Sequence, residues 1–444
     1  MLPLCLLPLL SPGQNPPQAA PASPATPAPA AAQQTAQQQP AQQPDEQRLD
    51  ELERQVELLS AELFRLEHEE ALLPPEQVRW RALAPAASKI YTVEPGSTSL
   101  GGYGEMLYTD GQGGASANQL DFLRAIVYFG ADLGSGWIFN SELEVEHAKV
   151  QDNNDGSGET APGEVALEFA YLEYAIDESL AARAGLLLLP MGFINELHEP
   201  TTFLSANRPE VERLLLPSTW RENGAGLLGG DDDWAWRAYV VNGFDADGFS
   251  AGGVRNGRQN GGRALAEDFA LTARVDYQGQ PGLLVGLAGY HGNAGQDQPG
   301  FEDTPVTLAD LHADWRPGDW RFRALFVEGR IDDVEALNLA QGFVGNQSVG
   351  EVQRGYYLEA GYDLRHAAGL SSSLVPFVRY EDHDTQVEVP DGFVANPAND
   401  RSNVTFGLFW QPIPQLAFKL DYLDADNDDH SAVDLLRFSM GYIF

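Results

Sequence analysis

From about residue 97 to its end, the chain is a long series of short segments in which apolar and polar residues alternate. Successive side chains of a β-strand point to opposite sides, so this period of two predicts strands with one apolar and one polar face. Sixteen segments can be distinguished, at 98–109, 119–131, 137–150, 164–176, 180–189, 223–230, 234–242, 267–277, 282–291, 305–315, 320–331, 353–365, 371–382, 402–411, 415–424 and 433–444. A series of this kind predicts an all-β fold.

The connections between these segments alternate strictly in length. Tight turns lie at 133–136, 177–179, 230–233, 278–282, 316–319, 366–370 and 411–414. Longer polar loops lie at 110–118, 151–163, 190–222, 243–266, 292–304, 332–352, 383–401 and 425–432. Short turns at one end and long loops at the other are typical of outer-membrane barrels. The sequence therefore predicts a single sixteen-stranded antiparallel transmembrane β-barrel over 95–444, with both ends of the barrel segment on the periplasmic side.

Periodicity alone does not say which face of the strands is inside, because a soluble barrel would turn its apolar face inward. Phe269 and Leu271, for example, alternate with charged residues such as Arg274 and Asp276. Aromatic residues cluster near the segment ends, at Tyr128, Trp137, Trp234, Trp236, Trp315, Trp320, Tyr380, Trp410 and Tyr422. Such an arrangement is typical of an interfacial belt. Belt and loop asymmetry together favour a membrane barrel over a soluble one.

The charge balance narrows the choice of partners. The chain carries 65 Asp and Glu against 27 Lys and Arg, a formal net charge of -38. Phosphate backbones attract clustered Lys and Arg, so this balance argues against nucleic acid as a partner. The sequence has no apolar run long enough for a transmembrane helix.

Residues 1–44 differ in composition from the rest of the chain. The opening MLPLCLLPLL, which contains the single cysteine, Cys5, resembles the apolar core of a signal peptide, although no Lys or Arg precedes it. Small residues up to position 32 offer cleavage sites, so we interpret 1–32 as a signal-peptide-like and cleavage region. Residues 33–44 continue the Pro, Ala and Gln bias, which predicts a disordered linker.

Residues 45–73 form a heptad pattern. Apolar residues recur at alternating spacings of three and four, at Leu49, Leu52, Val56, Leu59, Leu63 and Leu66. This seam predicts a short periplasmic coiled coil that ends at Pro74 and Pro75. The alternative is an amphipathic helix docked on a core, but the other faces are almost wholly polar, which favours self-association.

The long segment 190–222 is expected to fold into the barrel and narrow its channel. It combines apolar residues with charged ones, and a solvated surface loop would not need the apolar residues. The predicted constriction residues are Glu196, His198, Glu199, Arg208, Glu210, Glu212, Arg213, Arg221 and Glu222. The predicted pore-lining residues of the strands are Arg124, Glu142, Glu144, Arg274, Arg321, Arg323 and Arg379.

Several stretches resemble the porins related to phosphate-selective porins O and P. They are PMGFINELHEP, NRPEVERLLLPSTWRENGAG, LVPFVRYED, QPIPQLAFKLDY and the terminal GYIF. The resemblance covers about 95–444 and implies a homotrimeric sixteen-stranded channel whose third extracellular loop forms the constriction. The phosphate-selective members carry dense Arg and Lys ladders, which this chain lacks, so phosphate specificity is not transferred. The terminal Phe444 resembles the signal read by the barrel-assembly machinery.

The function predicted from these features is passive diffusion of small hydrophilic solutes or ions across the outer membrane of a Gram-negative-type bacterium. The channel is expected to have a weak cation preference and to contact outer-membrane lipid. Catalytic triads and metal-ligand spacings are not visible in the sequence, so we expect neither an enzyme nor a cofactor. Asp310, His312 and Asp314 share one strand face and are interpreted as a lumen wall rather than as a cation site. An anion- or phosphate-selective porin and a structural outer-membrane tether remain as alternatives.

Overall fold

The computed structural model describes residues 80–112, 118–148, 163–301 and 303–444. The predicted signal-like region, linker and coiled coil lie outside these residues. No helix in the described ranges is long and apolar enough to cross a membrane.

Sixteen antiparallel strands form one closed barrel, as predicted from the alternating segments. The strands are β1 (Thr98–Gly111), β2 (Gln119–Gly134), β3 (Trp137–Glu146), β4 (Val165–Ala175), β5 (Leu180–Leu188), β6 (Arg221–Gly230), β7 (Trp234–Asn242), β8 (Phe269–Gln280), β9 (Leu283–Asn293), β10 (Pro305–Trp315), β11 (Trp320–Ile331), β12 (Val352–Tyr362), β13 (Ser373–Glu388), β14 (Asp400–Ile413), β15 (Leu416–Asn427) and β16 (Leu435–Ile443). Each pairs with the next along the chain, and β1 pairs with β16 in a register that sets Tyr103 opposite Ile443. Closure leaves no unpaired sheet edge.

In the described parts of the connections lie three short α-helices: α1 (Glu210–Leu214), α2 (Val334–Gln341) and α3 (Leu364–Ala368). The predicted segment 353–365 is too long, because β12 ends at Tyr362 and α3 follows. Asp363 causes this break: its side chain accepts a hydrogen bond from the backbone N–H of Arg365 and caps the helix. Gly369, with φ of 63°, ends α3 in the left-handed region. The predicted tight turn at 366–370 is thus largely helical.

The two faces of the barrel wall have opposite polarity. On β8, Phe269 and Leu271 are 60% and 55% exposed, whereas Arg274 and Asp276 are 5% and 3% exposed. The apolar side chains therefore point outward and the charged ones into the barrel. A soluble barrel would show the reverse, so this pattern agrees with the predicted transmembrane barrel.

An aromatic belt surrounds the end of the barrel that carries the short turns, which we call the turn end. Its exposed tryptophans are Trp137, Trp234, Trp315, Trp320 and Trp410. Several stack on a neighbouring ring; Trp320, for example, lies 5.4 Å from Phe322 between ring centroids. Tyr128 was wrongly assigned to the belt, because it is buried and stacks on Phe169 inside the barrel.

Candidate channel interior

The connection between β5 and β6, residues 189–220, lies against the inner face of the barrel; we call it the inner loop. Its backbone N–H groups donate to carboxylates of distant strands. The N–H of Gly192 donates to Asp310 on β10 at 3.0 Å, and that of Ala206 donates to Asp421 on β15 at 2.5 Å. A buried N–H needs such an acceptor. The inward-facing carboxylates therefore hold the inner loop in place and also give the barrel interior negative charge.

Arginines of the wall contact the same loop from other strands. Arg274 on β8 donates to the carbonyl of Gly192, and Arg323 on β11 donates to that of Thr202 at 3.3 Å. Arg379 on β13 donates to the hydroxyl of Ser205 at 2.5 Å. These predicted pore-lining arginines thus position the loop.

Glu212 in α1 links the two halves of the inner loop. Its carboxylate accepts hydrogen bonds from the backbone N–H groups of Phe193 at 2.8 Å and Ile194 at 2.6 Å. The hydroxyl of Tyr357 on β12 donates to the other oxygen at 2.7 Å. Burial raises the pKa of Glu212 despite these donors. Glu212 was predicted to lie at the constriction. Its contacts show that it stabilises the fold of the inner loop.

The connection between β7 and β8 braces the far end of the inner loop. Arg255 donates to the carbonyl of Arg213 at 2.7 Å and also to that of Ser218. Arg258 donates to the carbonyls of Pro217 at 2.9 Å and Thr219 at 2.8 Å. Burial lowers the pKa of Arg255 to about 9 and that of Arg258 to about 10. Both remain cationic at neutral pH.

A second segment, which was not predicted from the sequence, enters the barrel from the turn end. The backbone N–H of Ala84 donates to the carbonyl of Glu196 at 3.1 Å. Arg237 on β7 donates to the carbonyl of Ala82 at 3.0 Å, and Asn140 on β3 donates to that of Ala87 at 3.0 Å. We call residues 80–92 the N-terminal insert. Its apolar positions, which could have revealed it, are Trp80, Leu83, Ala84, Ala86, Ala87 and Ile90.

The predicted constriction residues fall into three groups. Glu196, His198, Glu199, Arg208 and Glu212 are buried within the inner loop. Glu210 and Arg213 are partly exposed and pair at 3.1 Å. Burial raises the pKa of Glu210, but Arg213, His383 and Arg401 together bring it below its ordinary value.

Arg221 and Glu222 were wrongly placed in the loop, because β6 begins at Arg221. Arg221 pairs with Glu168 on β4 at 2.9 Å. Glu222 accepts a hydrogen bond from the amide of Asn242 on β7 at 2.6 Å. The polar sequence Arg-Glu-Asn resembles a loop, but it can begin a strand here because the inner face of this barrel is polar.

Charged groups of β1 to β3 contact one another and the inner loop. Arg124 lies 3.5 Å from Glu105 and 3.7 Å from Glu144. Glu142 contacts His198 at 3.1 Å, and burial lowers the pKa of His198 to about 4. His198 is therefore neutral at pH 7 and donates or accepts a hydrogen bond without carrying charge.

Several buried atoms of this region have no hydrogen-bond partner among the described residues. They are Oε2 of Glu142, Oε1 of Glu144, Oε2 of Glu168, and Nε and Nη2 of Arg208. Charged groups are not stable in a dry interior without partners. Ordered water is the usual partner of such buried polar groups in proteins.

Two of the remaining predicted wall residues pair with a carboxylate on their own strand. Arg274 pairs with Asp276 at 2.7 Å and Arg379 with Glu381 at 2.9 Å. Arg321 lies 3.9 Å from Asp363.

The trio Asp310, His312 and Asp314 does not act as one group. His312 bridges Asp310 at 2.6 Å and Asp276 at 2.8 Å. Asp314 pairs with Arg323 at 2.8 Å. These contacts agree with a polar lumen wall.

Known structures share this fold. No family model matches the chain. The loop L8 deletion mutant of OmpT, an outer membrane protein of Vibrio cholerae, is similar with a TM-score of 0.52, covering 79% of this chain and 100% of that one at 10% identity. Salmonella typhi OmpF in complex with daunomycin gives 0.50, covering 78% and 97% at 15% identity. The fold is thus that of outer-membrane porins.

One sequence relative is much closer. An uncharacterized protein of Aquifex aeolicus (strain VF5) is 34% identical over 389 residues, which cover 86% of this chain and 87% of the relative. The chain therefore belongs to the same family as this Aquifex aeolicus protein.

Proposed function

We propose that the protein is an outer-membrane porin through which small hydrophilic solutes or ions diffuse passively, along a channel narrowed by the inner loop. The polarity of the barrel wall is the main support for the proposal, since apolar residues face outward and charged residues line the interior. Buried charged atoms without partners among the described residues, such as those of Arg208 and Glu142, support a hydrated lumen. A barrel interior packed only for stability would not need buried charged atoms without partners.

A weak cation preference is the second part of the proposal. Among the described residues, fifteen buried Asp and Glu stand against ten buried Lys and Arg. Rings of carboxylates favour cations, but most of these acids are paired with arginines, so the preference is weak. Acidic residues of the outer loops, such as Asp245 and Asp332, add to the local cation concentration within about 8 Å at physiological salt.

The proposed assembly is a homotrimer with its N-terminal segment in the periplasm. The heptads at 45–73 would bundle below the pores. Phe444, which is 50% exposed at the turn end, would be the residue read by the barrel-assembly machinery. Both parts rest on the resemblance to the porins related to phosphate-selective porins O and P.

Uptake into proteoliposomes tests passive diffusion. Vesicles that contain the protein should swell in solutions of small neutral sugars, and the rate should fall steeply as the sugar becomes larger. Vesicles made with heat-denatured protein are the control. Swelling rates equal to those of the control for every sugar would contradict the proposal.

A further inference from the structure

We propose that a cavity at the turn end of the barrel binds a small organic anion, namely a carboxylate or phosphate joined to a short apolar group. We call this cavity the vestibule. It has a volume of about 420 Å³, and its walls come from the turns β10–β11, β12–β13 and β14–β15 and from inner-loop residues 201–204. This volume lies in the range of small-molecule sites. The walls belong to elements far apart in the chain, so the closed barrel assembles the site.

Four arginines line the vestibule of this strongly acidic chain: Arg316, Arg321, Arg323 and Arg365. Two of them share one carboxylate. Nε of Arg316 lies 2.9 Å from Oδ1 of Asp314, and Nη2 of Arg323 lies 2.8 Å from Oδ2 of the same residue. Glu359, which lies opposite Arg323 in the sheet, is the other carboxylate of the lining and pairs with Arg379 at 3.4 Å.

The same arrangement occurs across the cavity. Nη2 of Arg365 lies 3.5 Å and Nη2 of Arg321 lies 3.9 Å from Oδ2 of Asp363. Nε of Arg365 is buried and has no hydrogen-bond partner in the described parts of the chain. Guanidinium groups bind carboxylate and phosphate through paired N–H donors. The four arginines outnumber the three carboxylates Asp314, Glu359 and Asp363. This surplus of positive charge and the N–H donor of Arg365 indicate an anion as the ligand.

The other lining residues determine what kind of group attached to the anion fits the vestibule. Apolar side chains form part of it, from Leu83, Leu197, Phe203, Leu204 and Ile413. Hydroxyl side chains also contribute, from Thr201, Ser371 and Ser372. A bare inorganic anion would leave the apolar surface wet, whereas an attached short chain would cover it. The vestibule therefore fits an amphiphilic anion better than free phosphate.

This site needs the barrel and its inner loop but does not need conduction. Binding can be measured on protein that passes no current, and a conducting protein can fail to bind. The two proposals can therefore fail separately.

Calorimetric titration of the full-length protein in an uncharged detergent tests the inference. The probes are hexyl phosphate, hexanoate, hexanol, hexylammonium and inorganic phosphate. The two chain-bearing anions should bind, and the other three should bind at least about tenfold more weakly. Dodecyl phosphate distinguishes a lipid from a soluble ligand: hexyl phosphate should bind no worse than dodecyl phosphate.

The variant R321Q/R365Q should lower the affinity for hexyl phosphate at least about tenfold, because it removes both guanidinium charges that lie beside Asp363. Arg330 and Arg354 provide a matched control, because they also share one carboxylate, that of Glu328, at 2.7 and 2.8 Å, at the opposite end of the barrel. R330Q/R354Q should bind like the wild type. If the first double variant does not fold, Arg365→Gln alone serves for the same comparison.

Three outcomes would overturn the inference. Equal binding of hexanol and hexyl phosphate would show a merely apolar cavity. An equal loss in the control variant would show a general effect of surface charge. Binding of dodecyl phosphate without hexyl phosphate would show a lipid site.

Discussion

The carboxylate of Glu199 accepts a hydrogen bond from the backbone N–H of Ala86 at 2.8 Å and a second from that of Ala87 at 3.0 Å. The first residue belongs to the inner loop, and the other two belong to the N-terminal insert. Two segments that enter the barrel from opposite ends thus meet at one buried carboxylate. Neither segment can move relative to the other without breaking this contact.

Glu199 should make stability depend on pH. Burial raises its pKa from 4.5 to about 8, although the amides of Ala86 and Ala87 oppose the shift and Glu142 adds to it. A raised carboxyl pKa means that the folded state binds the proton more tightly than the unfolded state. The resulting stability is complete below pH 4.5 and is lost as pH rises through 8.

Glu199→Gln mimics the protonated acid and cannot ionise. Between pH 6 and pH 9 the wild type should lose roughly a few degrees more in melting temperature than this variant. Thermal unfolding followed by circular dichroism measures the difference. Glu178→Gln, at an exposed turn position, is the control and should follow the wild type. Identical pH slopes in the wild type and Glu199→Gln would show that the contact does not titrate.

The arginine brace should limit the motion of the inner loop. R255Q/R258Q removes the charged donors that hold the carbonyls of Arg213 and residues 217–219. We expect a loss of about 1–3 kcal/mol for each buried acceptor left without a partner, and faster proteolysis within the loop. R330Q/R354Q is again the control, because that pair is exposed. A loop equally resistant to protease in both variants would contradict the brace.

Glu210 and Glu212 should behave differently although they lie in the same helix. Glu210→Gln removes a partly exposed charge, so it should reduce cation preference and leave stability almost unchanged. Glu212→Gln replaces an acceptor of three hydrogen bonds, so it should destabilise the protein by about 1–3 kcal/mol.

Reversal potentials in a KCl gradient measure the preference for both variants, and chemical denaturation measures the stability. The wild-type preference should weaken as salt rises. Strong anion selectivity of the wild type would favour the anion- or phosphate-selective alternative instead.

The heptads should contribute to the trimer without being its main interface. Deletion of residues 45–73 should leave barrel trimers that dissociate at a lower temperature, because isolated helices of this length are only marginally stable. Electrophoresis of samples heated in detergent shows the change. Monomers in unheated samples of the deletion variant would show that the main interface lies in the coiled coil.

The barrel could be predicted from the sequence because the features that indicate each strand are local in the sequence. Side-chain alternation and turn length mark every strand, and the bounds differ by a few residues at most strand ends. The largest difference is at β13, which continues six residues beyond the predicted end of its segment, to Glu388. Two smaller differences have local causes. Asp363 caps a helix where a strand was expected to continue, and Arg221 begins a strand with a polar inner face.

The interior could be predicted only in part, because its contacts join residues that are far apart in sequence. The apolar content of the inner loop predicts that it packs against something. It does not reveal that Gly192 meets Asp310 or that Ala206 meets Asp421. The N-terminal insert has no strand period and no heptad, so only its apolar residues distinguish it from a linker.

Conductance across a planar lipid bilayer tests the proposed channel most directly. Addition of purified wild-type protein should raise the current in discrete, equal steps that are nearly ohmic at low voltage. A variant in which residues 196–215 are replaced by a short Gly-Ser linker should give larger steps, because the inner loop no longer narrows the lumen. A bilayer that contains folded protein and passes no current at any voltage would contradict the account.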